Sequence, residues 1–194
     1  MNFNKEIKLN KKLNKLDKFV LDFCKLLDKY VIVSGYVSIL FGRSRSTEDV
    51  DLLIPPVTKE EFYQIWKKII KHGFWCINTP NPEEAFNMLN EYAIRFSKKS
   101  RPVPNIEFKT IKNELSRFAY ENKVKVLINS KELFISPLEL QIAYKLFLGS
   151  EKDIEDARHL YSLFKGKINK EELDYSLVKL NVKEKKKFLE NGEH

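Results

Sequence analysis

Val31-Ile-Val-Ser-Gly-Tyr-Val-Ser-Ile-Leu-Phe-Gly-Arg-Ser-Arg-Ser-Thr-Glu-Asp-Val-Asp-Leu-Leu-Ile54 is the most informative stretch of this 194-residue chain. The apolar run Tyr30–Val33 reads as a short buried strand broken by Ser34-Gly35, and Tyr36–Phe41 as a short helix ending near Gly42. A polar loop, Arg43–Glu48, leads into a second strand, Asp49–Ile54, which Pro55-Pro56 stops.

Side chains two apart in a strand share a face, so Asp49 and Asp51 point the same way. Two carboxylates side by side in an apolar strand repel each other and are costly to desolvate. A divalent cation relieves both problems, and oxygen ligands of this kind suit magnesium, which shares its shell with phosphate and water. Solvation at a strand edge, or pairing with Arg43 and Arg45, would account for Asp-x-Asp equally well. Gly35 shifts the balance. It follows a strand and opens a helix, where a small residue admits phosphate closely and Ser34 adds a hydroxyl donor. At fourteen residues from Asp49, the turn and the acids together point to phosphate beside metal.

Upstream, Ile7, Leu9, Leu13, Leu16, Phe19, Val20, Phe23, Leu26 and Leu27 recur at mostly three- and four-residue steps, predicting one amphipathic helix with lysines outward. Downstream, Thr58 and Glu61 form a capping box for a helix to about His72, and Asn81-Pro82 opens another ending near Tyr92. Strands are expected at Phe74–Asn78, Ala93–Lys98, Asn105–Lys109, Lys123–Ile128 and Leu133–Ile135, with a polar helix or turn over Lys112–Tyr120. At Ser136-Pro137-Leu138-Glu139 an N-cap serine, a proline at the first helical position and a capping-box glutamate begin a helical run to the end of the chain. The order is α/β for two-thirds and helical thereafter, dividing softly into 1–135 and 136–194.

Hydrophobic residues make up 43%, ordinary for a globular chain, and no apolar run approaches the roughly 20 residues of a membrane span. The N-terminus, Met1–Lys18, is polar and lysine-rich with no secretory apolar core, so a cytoplasmic location away from membranes is expected. Cys24 and Cys76 are too few and too far apart for a zinc site or disulfide framework, and His72, His159 and His194 show no metal-ligand spacing. Lys and Arg outnumber Asp and Glu by 35 to 27, a net +8 that favours polyanionic partners but also suits lysine-rich solvated helices. Tyr36 is placed either to stack on a base or to pack in the core, and Arg43, Arg45, Lys98, Lys99 and Arg101 to border a nucleic-acid cleft or to sit as solvated loop charge.

Ser34-Gly-Tyr36 followed by Phe41-Gly-Arg-x-Arg-x-Thr-x-Asp-Val-Asp-Leu52 resembles the signature of the DNA polymerase β-like nucleotidyltransferases, in particular the AbiEii-like branch, many of whose members are toxins of toxin–antitoxin systems. Ile135-Ser-Pro-Leu-Glu-Leu-Gln-Ile-Ala-Tyr-Lys-Leu146 and Glu151-Lys-Asp-Ile-Glu-Asp-Ala157 are similar to later segments of that branch, so the resemblance covers about Tyr30–Leu160. It implies a mixed β-sheet flanked by helices, with a C-terminal helical portion. It also implies two magnesium ions on Asp49, Asp51 and Glu107, a nucleoside triphosphate cradled by Ser34 and Gly35, and Lys145 facing the phosphates as a point charge with Asp153 and Asp156 nearby. Asp49, Asp51, Glu107 and Lys145 become the candidate catalytic residues, and Ser34, Gly35, Lys145 and Asp153 the candidate nucleotide-binding ones. The sequence departs from the family in having Ser34 where glycine is usual and Glu107 where the third acid is more often aspartate. The expected activity is metal-dependent transfer of an NMP to an acceptor hydroxyl on RNA such as tRNA, with a protein hydroxyl or a small molecule such as an aminoglycoside as alternatives. A cognate antitoxin would be a further partner. A catalytically silent nucleotide- or nucleic-acid-binding regulator is the alternative of a different class.

Overall fold

The structure is a computed structural model that describes residues 6–190. His194 and the first five residues of the lysine-rich N-terminus lie outside them. Its centre is one eight-stranded mixed sheet. In chain order the strands are β1 Glu6–Leu9, β2 Val31–Ile32, β3 Asp49–Ile54, β4 Phe74–Cys76, β5 Ile94–Lys98, β6 Asn105–Thr110, β7 Val124–Ile128 and β8 Lys131–Ile135. In space they run β1-β7-β8-β2-β3-β6-β5-β4. β3 and β6 pair in parallel, β2 and β3 antiparallel. The helices are α1 Lys15–Cys24, α2 Gly35–Leu40, α3 Lys59–Lys71, α4 Pro82–Glu91, α5 Glu114–Glu121, α6 Leu138–Leu148, α7 Glu151–Phe164 and α8 Lys170–Lys179, followed by a 3₁₀ helix over Lys183–Leu189.

The two faces of the sheet differ. Val50, Leu52 and Ile54 of β3, Ile106 and Phe108 of β6, and Phe96 of β5 are buried in the main core together with Phe23 of α1 and Phe62 and Trp66 of α3. Phe23 sits 5.1 Å from Phe74 and 5.7 Å from Phe96, ring centre to ring centre, and Trp66 lies 5.6 Å from Phe96. Large side chains buried like this contribute about 1.5–3 kcal/mol each, so this face holds the fold together. On the other face Val31, Leu53 and Ile111 form a small apolar cluster, with Val33 and Tyr120 packed against it. On β3, β6 and β5 that face carries Asp49, Asp51, Glu107, Lys109 and Arg95, the candidate site.

The capping box of Thr58 and Glu61 forms as the sequence predicts, and Asn81 caps α4 with Pro82 in its first turn. Two local expectations are corrected. Ile7 and Leu9 are not the first turn of a long helix: Glu6–Leu9 is a strand paired in parallel with β7, and the helix starts only at Lys15, its first turn closed by the Asn14–Asp17 capping box. Two apolar residues at alternate positions satisfy a strand as well as a helix, and β7 offers the edge. Ser136 does not cap α6 either. Its hydroxyl turns inward to donate to Gln141 Oε1 at 2.9 Å, and Glu139 accepts from the backbone N–H of Asn169 at 3.0 Å.

Candidate active site

Parallel pairing of β3 with β6 sets Asp51 opposite Glu107 and Asp49 opposite Asn105. Asp51 and Glu107 therefore stand side by side on the polar face, while Asp49 lies one pleat along. Lys109, two residues beyond Glu107 on the same face, inserts its ammonium between the two acids, 2.7 Å from Asp51 and 2.6 Å from Glu107. From β5, whose Arg95 is opposite Glu107, the guanidinium donates to Glu107 Oε1 at 3.0 Å. Asp49 accepts from the Thr47 hydroxyl through both its carbonyl, at 2.9 Å, and its carboxylate, at 3.3 Å.

The two facing acids titrate apart. Burial pushes the Asp51 carboxyl up, the neighbouring Glu107 adds to the shift, and Lys109 offsets it only in part. Burial would raise Glu107 too, but hydrogen bonds with Asp51 and Lys109, aided by the charges of Lys109 and Arg95, hold it below its ordinary value. Burial likewise opposes the charge on Lys109, yet the two carboxylates carry its pKa upward. The pair is thus held together by a cation and, on acidification, by a proton on Asp51. Either role passes naturally to a divalent metal, and two carboxylate oxygens leave room for the phosphate and water that magnesium prefers. Among the described residues, Asp49, Asp51 and Glu107 are not drawn into a group of three ligands.

A cleft of about 400 Å³ opens beside Asp51, and Ser34, Lys109, Leu115, Gln141 and Tyr144 line it as well. Ser34 stands between β2 and α2 with φ 65° and ψ −136°, a conformation natural to glycine and strained for serine. Gly35 has a different reason to lack a side chain: a Cβ there would collide with the Arg45 guanidinium where it now sits. The guanidinium of Arg45 fills that space and donates through Nη1 to Asp156 of α7 at 3.1 Å.

Asp156 is fully buried and also accepts an ion pair from Lys145 at 3.0 Å, while Lys145 donates to Asp153 at 2.6 Å. Lys145 is 2% exposed and has both its expected acids as partners. Burial would raise the Asp153 carboxyl, but hydrogen bonds from Lys145 and Ser150 bring it below the usual range. Arg43 joins the same helix through Glu155. The loop arginines therefore pair with α7 and leave Asp49 and Asp51 to other partners. Tyr36 is buried, and its hydroxyl donates to Asp17 at 3.0 Å, so it packs in the core. Two site residues escape sequence reading. Lys109 shares a face with Glu107, which the two-residue period could have flagged, whereas Gln141 gives no local signal. His159 sits with Nε2 3.0 Å from the Phe41 carbonyl, and His72 with Nδ1 2.7 Å from the Lys68 carbonyl, so each is tied to backbone.

Neither a family profile nor a curated protein matches the sequence. Solved structures do match in shape. An antigenic nucleotidyltransferase-like protein from Paracoccidioides brasiliensis superposes with a TM-score of 0.55 over 88% of this chain and 87% of its own, at 18% identity. ANT(2″)-Ia, solved in complex with adenylyl-2″-tobramycin, gives a TM-score of 0.52 over 86% of this chain and 95% of its own, at 14% identity. The chain has a mixed α/β fold of the nucleotidyltransferase type. Among the described residues no helix is long and apolar enough to cross a membrane.

Proposed function

We propose that the protein is a metal-dependent nucleotidyltransferase that moves an NMP from a nucleoside triphosphate to an acceptor hydroxyl. The observation that carries this reading is the juxtaposition of Asp51 and Glu107, opposite one another on parallel strands, with Asp51 and the Lys109 that bridges them lining a cleft that also takes in Ser34. Asp51 and Glu107, with Asp49 next along the face, would hold magnesium, two ions being the number the resemblance implies. When bound, the metal would stabilise charge on the triphosphate and acidify the acceptor hydroxyl. Ser34 and Gly35 would seat the β- and γ-phosphates, and Lys109, displaced from between the acids, would remain in reach of their charge. The acceptor oxygen would attack the α-phosphorus as the bond to the bridging oxygen breaks and pyrophosphate leaves, its proton passing to Glu107 or Asp51. Lys145 and Asp153 are engaged with each other, and in this reading they act on the turn through Asp156 and Arg45 instead of touching phosphate. The helices after residue 135 would form a subdomain that walls the cleft.

RNA is the acceptor we favour. Lys109 and Lys112 line the cleft along with Tyr92 and Tyr144, offering charge to phosphates and rings to bases, beside the acids Asp51 and Glu91. The net charge of +8 agrees. A toxin role, with a cognate antitoxin and a cytoplasmic site of action, follows from the AbiEii-like resemblance. Incubation with each α-labelled NTP, magnesium and cell extract tests the activity: a labelled RNA is expected, and absence of any labelled product with all four NTPs would overturn it. The second reading, a catalytically silent nucleotide binder, draws on Lys109, whose ammonium already satisfies both acids. It predicts magnesium-dependent NTP binding with no transfer.

A further inference from the structure

Ser34 is held in its strained conformation from a distance of 107 residues in sequence. Its N–H donates to Gln141 Oε1 at 3.1 Å, and its carbonyl accepts from Gln141 Nε2 at 2.8 Å. A single primary amide thus grips both sides of one residue's backbone. Gln141 is 2% exposed on α6, and its Oε1 also accepts from the buried Ser136 hydroxyl, so its rotamer and the assignment of oxygen and nitrogen are both determined. A positive φ on a serine persists only where the surroundings over-determine it, and here they do.

Resting on the reading that the Ser34–Gly35 turn receives the triphosphate, we infer that Gln141 is the positioning residue that fixes this turn, making α6 part of the nucleotide site without supplying it a charge. The grip has two consequences. The Ser34 N–H is occupied by Gln141, so the hydroxyl is what Ser34 itself can offer a phosphate. And a glycine at position 34, which adopts φ 65° without strain, would need the grip far less.

The second consequence makes a test on the full chain. Gln141→Leu should weaken magnesium-dependent binding of ATP, CTP, GTP or UTP, whichever wild type binds, by at least about tenfold (about 1.4 kcal/mol by the standard relation). In a Ser34→Gly background the same substitution should cost less than about threefold, and the loss of thermal stability caused by Gln141→Leu should shrink in parallel. Equal losses in both backgrounds would show an ordinary core glutamine and overturn the inference. If Gln141→Leu alone fails to fold, Gln141→Glu, which keeps the acceptor and loses the donor to the Ser34 carbonyl, is compared with and without Ser34→Gly on the same criterion. The unfolding coupling between 34 and 141 needs no nucleotide. Coupling without NTP binding by wild type would sink the nucleotide reading and leave the grip standing; NTP binding without coupling would sink the grip alone.

Discussion

Two lysines in this molecule each stand between two acids, and they do so in opposite settings. Lys109 bridges Asp51 and Glu107 on the polar face of the sheet, with its side chain 36% exposed. Lys145 bridges Asp153 and Asp156 where α6 meets α7, with its side chain 2% exposed. The first arrangement opens on a cleft, where water, metal or phosphate can exchange with the ammonium. The second is closed, and its acids are further tied to Ser150, Arg43 and Arg45. Charge alone does not mark a site: an ion cluster that solvent reaches can change its cation, whereas one sealed in protein only fixes geometry. What Lys145 fixes is Arg45, and through Arg45 the packing over Gly35.

The largest difference should appear when each lysine is removed. Lys145→Met leaves two buried carboxylates without their shared cation, and roughly 3–5 kcal/mol of unfolding free energy should be lost in urea titration. Gly35→Ala comes next. It drives the Arg45 guanidinium off its seat and away from Asp156, and about 1–3 kcal/mol should be lost. In an Arg45→Ala background the same change should be nearly neutral, and an equal cost there would break the link between the turn and the buried cluster. Lys109→Met should cost less than Lys145→Met, about 1–2 kcal/mol, because Asp51, already pushed up by burial, can take a proton in place of the lost cation. It should also tighten magnesium binding measured by calorimetry without nucleotide.

The smallest expected effect is in acid. The depressed pKa of Asp153 contributes stability that is fully present above the ordinary carboxylate value, about 4, and is lost as pH falls through the folded value. Unfolding free energies below about pH 4 should therefore fall less steeply for Asp153→Asn than for wild type. Parallel slopes would mean that the Lys145–Asp153 pair is weaker than its 2.6 Å separation implies.

Much of this was legible in the sequence, for physical reasons that differ by residue. Asp49–Ile54 is read as a strand with its bounds intact because Pro55-Pro56 ends it and its alternation places both acids on one face. Thr58 with Glu61, and Asn81 before Pro82, mark helix starts because capping is local chemistry. Non-local pairing is where reading stops. Glu6–Leu9 is a strand only because β7, nearly 120 residues later, completes it. Lys109 becomes Asp51's partner only once β3 and β6 are in register, and Gln141 reaches Ser34 through folding alone. Ser136 looks like a cap in one dimension and is a buried donor in three.

Whether Asp51 and Glu107 hold metal for a nucleotide is decided by calorimetric titration of magnesium with a non-hydrolysable NTP into wild type, Asp51→Asn and Glu107→Gln. Wild type should bind in a metal-dependent way, and both variants should bind at least about tenfold more weakly while their urea midpoints stay near that of wild type. Undiminished magnesium-dependent binding in both variants would contradict that role.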